Sequence, residues 1–253
     1  MPTLDASIPQ AKQEIRERVW TLLERYRAVD PGVSGHIPAF AGAGAAAERL
    51  ATLPSWQSAR VIKANPDRAQ LPVRAQALDA DKTVYMAVPN LTTLRPFYLL
   101  DPAKLPRPFE TSVSHQAVAA AATTVTVDEM PAIDLVVCGS VAVNGEGVRI
   151  GKGAGYSDLE LALLTEAGLV DAHTTIVTTV HPLQIIDGRL PEAPHDFRVD
   201  AIATPDAIIT CPGGRRPKGV LWDQLTDDKI AAIPVLASRV LPRRAARREH
   251  RSL

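Results

Sequence analysis

Cysteine, aromatic side chains and surplus charge are all scarce in this chain. Its two cysteines, Cys138 and Cys211, are too few for a disulfide scaffold and too widely separated for a zinc-knuckle spacing. Cys138, within DLVVCGS, reads as a small core residue. Aromatics make up only 4% of the 253 residues, which fits a core built from Ala, Val, Ile and Leu. Lys plus Arg and Asp plus Glu number 28 each, so overall charge argues for no particular partner. No apolar run approaches the roughly 18–20 residues a membrane span needs. The N-terminal MPTLDASIPQAKQ lacks the basic-then-apolar order of a secretory signal, and the expected compartment is the cytoplasm.

What is present is the composition of an ordinary globular protein, 46% hydrophobic and 22% charged, long enough for one large α/β domain or two small ones. Five arginines cluster in residues 242–252. Clustered Arg is an electrostatic footprint of nucleic-acid binding. Without interleaved aromatics or a recognition motif, residues 241–253 are expected to be a solvated basic tail, and no nucleic-acid partner is expected.

Residues 10–28 place Ile15, Val19, Leu22, Leu23 and Tyr26 at helical spacing, with Lys12, Arg16, Arg18, Arg25 and Arg27 on the polar face. Pro and Gly in DPGVSGHIPAFAGAG interrupt that pattern before an alanine-rich helix that runs to about Leu53. ARVIKANP and TVYMAVPN read as short strands, with a Pro72-initiated helix between them. SHQAVAAAATTV reads as a helix that Thr123, Thr124 and Val125 weaken at its end. IDLVVCGSVAV, residues 133–143, reads as one continuous apolar strand. SDLELALLTEAG is a helix closed by Gly168, and TTIVTTVHP and VDAIATPDAIITC supply further strands. Alternating strands and helices predict a mainly parallel sheet with helices on both faces, as one domain over about residues 10–240.

Between the 133–143 strand and the helix at 157–168 stands RIGKGAGYSD. Gly151, Gly153 and Gly155 allow close approach of the backbone to an anion, and the free N–H groups of a helix start favour phosphate. Lys152 and Arg149 add cations. The spacing is neither a Walker A loop nor the dinucleotide fingerprint, so a plain turn into a capped helix stays open. Asp158, in the helix's first turn, suits either a magnesium held by phosphates or the helix dipole. His181 and His195 lack metal-ligand spacing with any second His or Cys. His181, at a strand end, reads as a structural histidine with a catalytic or substrate-contacting role left open, and His195 as a residue that orients Asp196.

RIGKGAGYSD resembles the R-L-G-x-G-x-G-Y-Y-D signature of the 5-formyltetrahydrofolate cyclo-ligases, or methenyltetrahydrofolate synthetases. KQEIRERVW is similar to that family's N-terminal basic helix, and HPLQIIDGRLPEAPHDFRVDAIATPDAII to its C-terminal motif. GSVAV, RIGKGAGYSDLE, VTTVHPLQIID and HIPAF have the character of a paralogous, methenyltetrahydrofolate synthetase domain-containing branch. The resemblance implies a three-layer α/β/α fold related to the ribose-phosphate isomerase and CoA-transferase group. It also implies a reaction using ATP and Mg2+ on a folate-like small molecule. In that reaction the formyl oxygen on N5 is phosphorylated, N10 attacks the activated carbon, and loss of phosphate closes the ring. Lys12, Arg149 and Lys152 are then expected to neutralise charge during transfer. Lys12, Arg16, Arg149, Gly151, Lys152, Gly153, Gly155 and Tyr156 would hold ATP. Asp158 and Asp196 would hold the metal, with Asp200 also matching an acidic position of the C-terminal motif.

The chain departs from the pattern on the pterin side. Ser157 replaces the signature's second Tyr, and Leu159 replaces the following Arg. Asp67 is the nearest acid to the Glu that follows the family's first strand. These departures leave two alternatives beside the standard reaction. One is the same activation chemistry on another formyl or amide substrate, near thiamin metabolism by the branch's association. The other is a non-catalytic nucleotide- or folate-binding protein.

Overall fold

Strands buried on both faces account for the continuous apolar runs of this sequence. A computed structural model describes residues 4–240. The basic tail expected at 241–253 lies outside the described residues. In chain order the strands are β1 Val61–Ala64, β2 Thr83–Ala87, β3 Phe97–Leu100, β4 Thr123–Val125, β5 Leu135–Cys138, β6 Ala142–Val143, β7 Arg149–Ile150, β8 Thr175–Thr179, β9 Ala201–Ala203 and β10 Ile208–Thr210. The helices are α1 Leu4–Arg25, α2 Ala43–Leu50, α3 Pro54–Ser58, α4 Leu71–Asp79, α5 Phe109–Ser112, α6 His115–Ala121, α7 Tyr156–Glu166 and α8 Asp227–Ala232.

Eight strands form one sheet in the order β10-β9-β8-β5-β1-β2-β3-β4. The central strands β9, β8, β5, β1 and β2 run parallel, and β10, β3 and β4 add antiparallel edges. The period-2 alternation of a strand sorts its side chains to opposite faces. Ile62, Ala64, Val84, Met86, Leu135 and Val137 pack with Leu50, Leu78 and Phe109 of α2, α4 and α5 on one face. Tyr85, Ala87, Val136, Cys138 and Ile176 pack with Leu161 and Leu163 of α7 on the other. The expected three-layer α/β/α arrangement with a mainly parallel sheet is therefore present. From β1 the chain moves outward to β2, whereas from β5 it moves the opposite way to β8 and β9. Their carboxyl ends thus flank a switch point, where open α/β sheets bind ligands.

The expected strand over 133–143 is broken. The sheet strand β5 stops at Cys138, and Ala142–Val143 pairs instead with Arg149–Ile150 in a separate hairpin. The break falls at Gly139, where a Cβ would lie 2.8 Å from Ile37 and 3.0 Å from Gln70. Asn144 turns the hairpin by accepting the Val148 N–H at 3.0 Å. The apolar run stays continuous in sequence because Val141, Ala142, Val148 and Ile150 are buried under Val19 and Leu23 of α1. Burial alone therefore hid the change of element. α1 also starts earlier than the expected Gln10, with Pro9 inside it. Gly168 ends α7 with positive φ, and the Leu169 N–H reaches the Leu164 carbonyl, as a Schellman closure requires.

Candidate functional site

The hairpin β6–β7 delivers Arg149 and then the glycine loop into the mouth of the switch point. Gly153 and Gly155 take φ of 104° and 72°, conformations that side chains resist, and Gly155 stands at the N-cap of α7. Gly151 serves differently: a Cβ there would sit 2.8 Å from the Arg149 guanidinium. Arg149 is buried beneath the loop and held on three sides. Its Nη1 donates to Asp158 at 3.1 Å, its Nη2 to the Gly139 carbonyl at 3.4 Å, and its guanidinium covers the Phe197 ring at 4.4 Å. Burial pulls its pKa down, but Asp158 and Asp196 outweigh that and hold it above the ordinary arginine value.

Lys12 and Arg16, one helical turn apart on α1, face inward rather than into solvent and are both buried. Lys12 pairs with Asp196, which also accepts the Ala193 N–H at 2.6 Å. Arg16 Nε donates to the Gly151 carbonyl at 2.7 Å, and Nη1 to Gln13 at 3.2 Å. Among the described residues no carboxylate lies within 4.0 Å of the Arg16 guanidinium, in contrast to Lys12, Arg149 and Lys152. Burial lowers its pKa against the raising influence of Asp196. Lys152 reaches across to Asp67 at 3.4 Å.

These groups border one cavity of about 680 Å³. Lys12, Arg16, Arg149, Gly151, Lys152, Gly153, Gly155, Tyr156, Asp158 and Asp196 all line it, together with Asn65, Pro66 and Asp67 from the end of β1. Asp200 does not. It accepts the Ile176 N–H at 2.8 Å and pairs with Arg216, which makes it a strand-capping carboxylate away from the cavity. Among the described residues no group of three or more His, Cys, Asp or Glu is gathered as a metal site. The two carboxylates expected to hold magnesium are instead paired with Arg149 and Lys12. Magnesium commonly takes only one or two carboxylates and completes its shell with phosphate and water oxygens, so this donor set fits it.

Sequence reasoning missed the polar floor of the cavity. Lys63 in β1 donates to Asn65 and to Glu160 of α7, both at 2.5 Å, and Asn65 donates to Ser157 at 3.3 Å. The signal was there for Lys63, a lone charge within an otherwise apolar strand, whereas Glu160 shares its helix with Asp158 and Glu166. Arg74 was missed too. It is fully buried, donates to the Asn65 carbonyl at 2.5 Å and the Asp67 carbonyl at 3.1 Å, and so fixes the loop after β1. Burial lowers its pKa to about 10, so it stays charged at neutral pH.

His181 makes a capping contact. Its Nδ1 accepts the Leu183 N–H at 3.1 Å as an N-cap, and burial lowers its pKa. A pKa depressed in the folded state means that stability is retained above the ordinary histidine value of about 6.5 and lost as pH falls towards the lowered one. His181→Asn keeps an acceptor at the cap and removes the titration. Urea unfolding from pH 8 to 5 is therefore expected to give a flatter stability profile for this variant than for wild type. Parallel profiles would refute the assignment. His195 is about half exposed, 3.7 Å from Asp196 and 3.4 Å from Gln224.

A mainly parallel α/β sheet here carries a cation-lined glycine loop at its switch point, a placement whose chemistry suits an anion. Residues 8–205 match the sequence profile of the 5-formyltetrahydrofolate cyclo-ligase family, and the chain belongs to that family. It is 39% identical over 236 residues to a Bos taurus "Methenyltetrahydrofolate synthase domain-containing protein", covering 90% of this chain and 61% of that one. The Mus musculus protein of the same name is 39% identical over 233 residues, covering 89% and 62%. The chain thus spans about three fifths of the length of these curated relatives. Because 90% of the chain exceeds its first 205 residues, the bovine alignment runs beyond the family profile into the C-terminal segment. The NMR structure of Aquifex aeolicus 5,10-methenyltetrahydrofolate synthetase matches with a TM-score of 0.51 at 18% identity, over 83% of this chain and 98% of that one, a likeness of fold. No helix among the described residues is long and apolar enough to cross a membrane.

Proposed function

We propose that this chain is an ATP- and magnesium-dependent cyclo-ligase that converts 5-formyltetrahydrofolate to 5,10-methenyltetrahydrofolate. The observation that carries the reading is Arg16, a buried cation with no carboxylate within 4.0 Å among the described residues, hydrogen-bonded to the glycine loop at the N-terminus of α7. A buried positive charge without a directly paired carboxylate favours an anion beside it, and the helix start adds its own N–H groups. ATP supplies the phosphoryl group that turns a formyl oxygen into a leaving group. The chain's part is alignment and charge neutralisation, which dominate phosphoryl transfer. Arg16, Lys12 and Lys152 surround the loop, and Arg149 holds Asp158 in place from beneath. Asp158 and Asp196 are the carboxylates available to a magnesium ion.

A second reading keeps the nucleotide site and changes the substrate. Asn65, Ser157 and the Lys63–Glu160 pair form a floor that departs from the family signature at Ser157, which favours a different formyl or amide compound there.

Absorbance of the methenyl product, followed from 5-formyltetrahydrofolate with and without ATP and magnesium, tests the first reading. Product is expected only when both are present. No turnover alongside calorimetrically detectable ATP binding would reject the folate substrate and leave the second reading. Lys152→Ala is expected to weaken ATP binding by about tenfold or more, since one charge-assisted contact contributes about 1.5–3 kcal/mol. Unchanged affinity in that variant would reject the loop assignment.

A further inference from the structure

Residues 218–239 lie beyond the segment that matches the family profile, yet they grip both ends of α7. At its C-terminal end, the Val220 N–H and the Trp222 indole each reach Glu166 Oε2 at 3.3 Å, and Arg239 approaches Oε1 at 3.6 Å. An acidic last residue opposes the helix dipole, so these donors offset a charge that α7 alone would tolerate poorly. Gly219 lets the backbone pass close by: a Cβ there would stand 3.3 Å from the same carboxylate, at a φ of 129°. Ile233, Val235 and Leu236 then sink into the core cluster that holds Leu161 and Leu163 of α7.

At the other end of α7, α8 presents Lys229. Thr226 caps α8 by accepting the Lys229 N–H at 3.2 Å, which fixes where that side chain starts. Its ammonium lies 4.3 Å from the centre of the Tyr156 ring and donates to the Ala154 carbonyl at 3.3 Å. Ala154 and Tyr156 flank Gly155, the left-handed N-cap of α7, and all three border the cavity. Glycines make that loop mobile by default, since they restrict the backbone least. One cation touching a carbonyl and a ring on either side of the hinge residue restrains it. The same segment brings Gln224 to the cavity wall.

We propose that residues 218–239 act as a strap that holds the glycine loop in its anion-binding form, with Lys229 as the positioning residue. The proposal rests on the nucleotide reading above and adds a part that the family profile does not include. Lys229 does not line the cavity itself, so it acts through Tyr156 and Ala154 rather than on the ligand.

Two measurements on the full chain test it. Amide hydrogen exchange without ligand is expected to be faster over residues 151–157 in Lys229→Ala and unchanged in β1 and β5. Calorimetry with magnesium–ATP is expected to show affinity lowered about fivefold in Lys229→Ala, the size of one cation–π contact. The melting temperature should be unchanged, and Lys229→Arg should restore binding, because a guanidinium also stacks on the ring and donates. Wild-type exchange and affinity in Lys229→Ala would overturn the strap's role. A fall in affinity matched by a lower melting temperature, without rescue by Arg, would reduce Lys229 to a structural contact and overturn it as well. The underlying reading fails separately: wild type and Lys152→Ala would then both show no ATP binding, and the strap proposal would fall with it.

Discussion

Arg149→Met is expected to lower the melting temperature by on the order of 10 °C and to remove nucleotide binding together. The side chain is only 3% exposed and bridges Asp158, the Gly139 carbonyl and the face of Phe197. Methionine fills much of the volume but leaves Asp158 without its cation, while Asp196 keeps its pair with Lys12. Removing one partner of a buried pair costs about 3–5 kcal/mol. The lower end applies because Asp158 keeps 17% of its side chain in contact with solvent. In a domain of this size, about 3 kcal/mol corresponds to roughly 6–12 °C. The functional loss has a separate cause: Gly151 lies directly against the guanidinium, so emptying that space lets the loop collapse inward. Arg149→Lys keeps the charge but neither the planar stacking nor the forked donors, so it should recover part of the stability and little of the binding. Scanning calorimetry and ATP titration check both. A Met variant with wild-type melting and affinity would show the guanidinium to be idle.

Lys63→Met is the second large effect, and it separates stability from function. Lys63 and Glu160 have side chains 2% and 7% exposed and join the central strand to α7. With lysine gone, Glu160 is a buried carboxylate without its cation, at a cost of about 3–5 kcal/mol near neutral pH. Adding Glu160→Leu removes the stranded charge, so the double variant is expected to regain most of the stability. Turnover should stay impaired, because Glu160 and Asn65 border the cavity. Urea denaturation measures this, and additive destabilisation in the double variant would disprove the coupling.

The candidate site was legible in the sequence to an unusual degree on its anionic side. RIGKGAGYSD could be read as a glycine loop entering a helix because those requirements are local: positive φ at Gly153 and Gly155, and a helix beginning at once after them. Lys12 and Arg16 are a harder case. By periodicity they belong to the polar face of an amphipathic helix, and only the packing of α1 over the β6–β7 hairpin turns that face towards the loop. Asp200 stayed open between two roles because a carboxylate that caps a strand and one that faces a ligand look alike in sequence; its partners, Ile176 and Arg216, are 24 and 16 residues away.

By itself, the sequence determined what depends on neighbours along the chain. That includes the alternation of strands and helices, the Gly168 stop of α7, the glycine loop and the scarcity of charge in the core segments. Tertiary structure alone decided what depends on groups far apart. It broke the 133–143 run at Gly139, because an apolar stretch buried in two places carries no mark of the change between them. It set Lys63 against Glu160 across 97 positions. It also folded residues 218–239 back along α7, where Lys229 meets a loop 75 residues earlier. Hydrophobic periodicity reports which side of an element is buried; which partner buries it is settled only when the layers close.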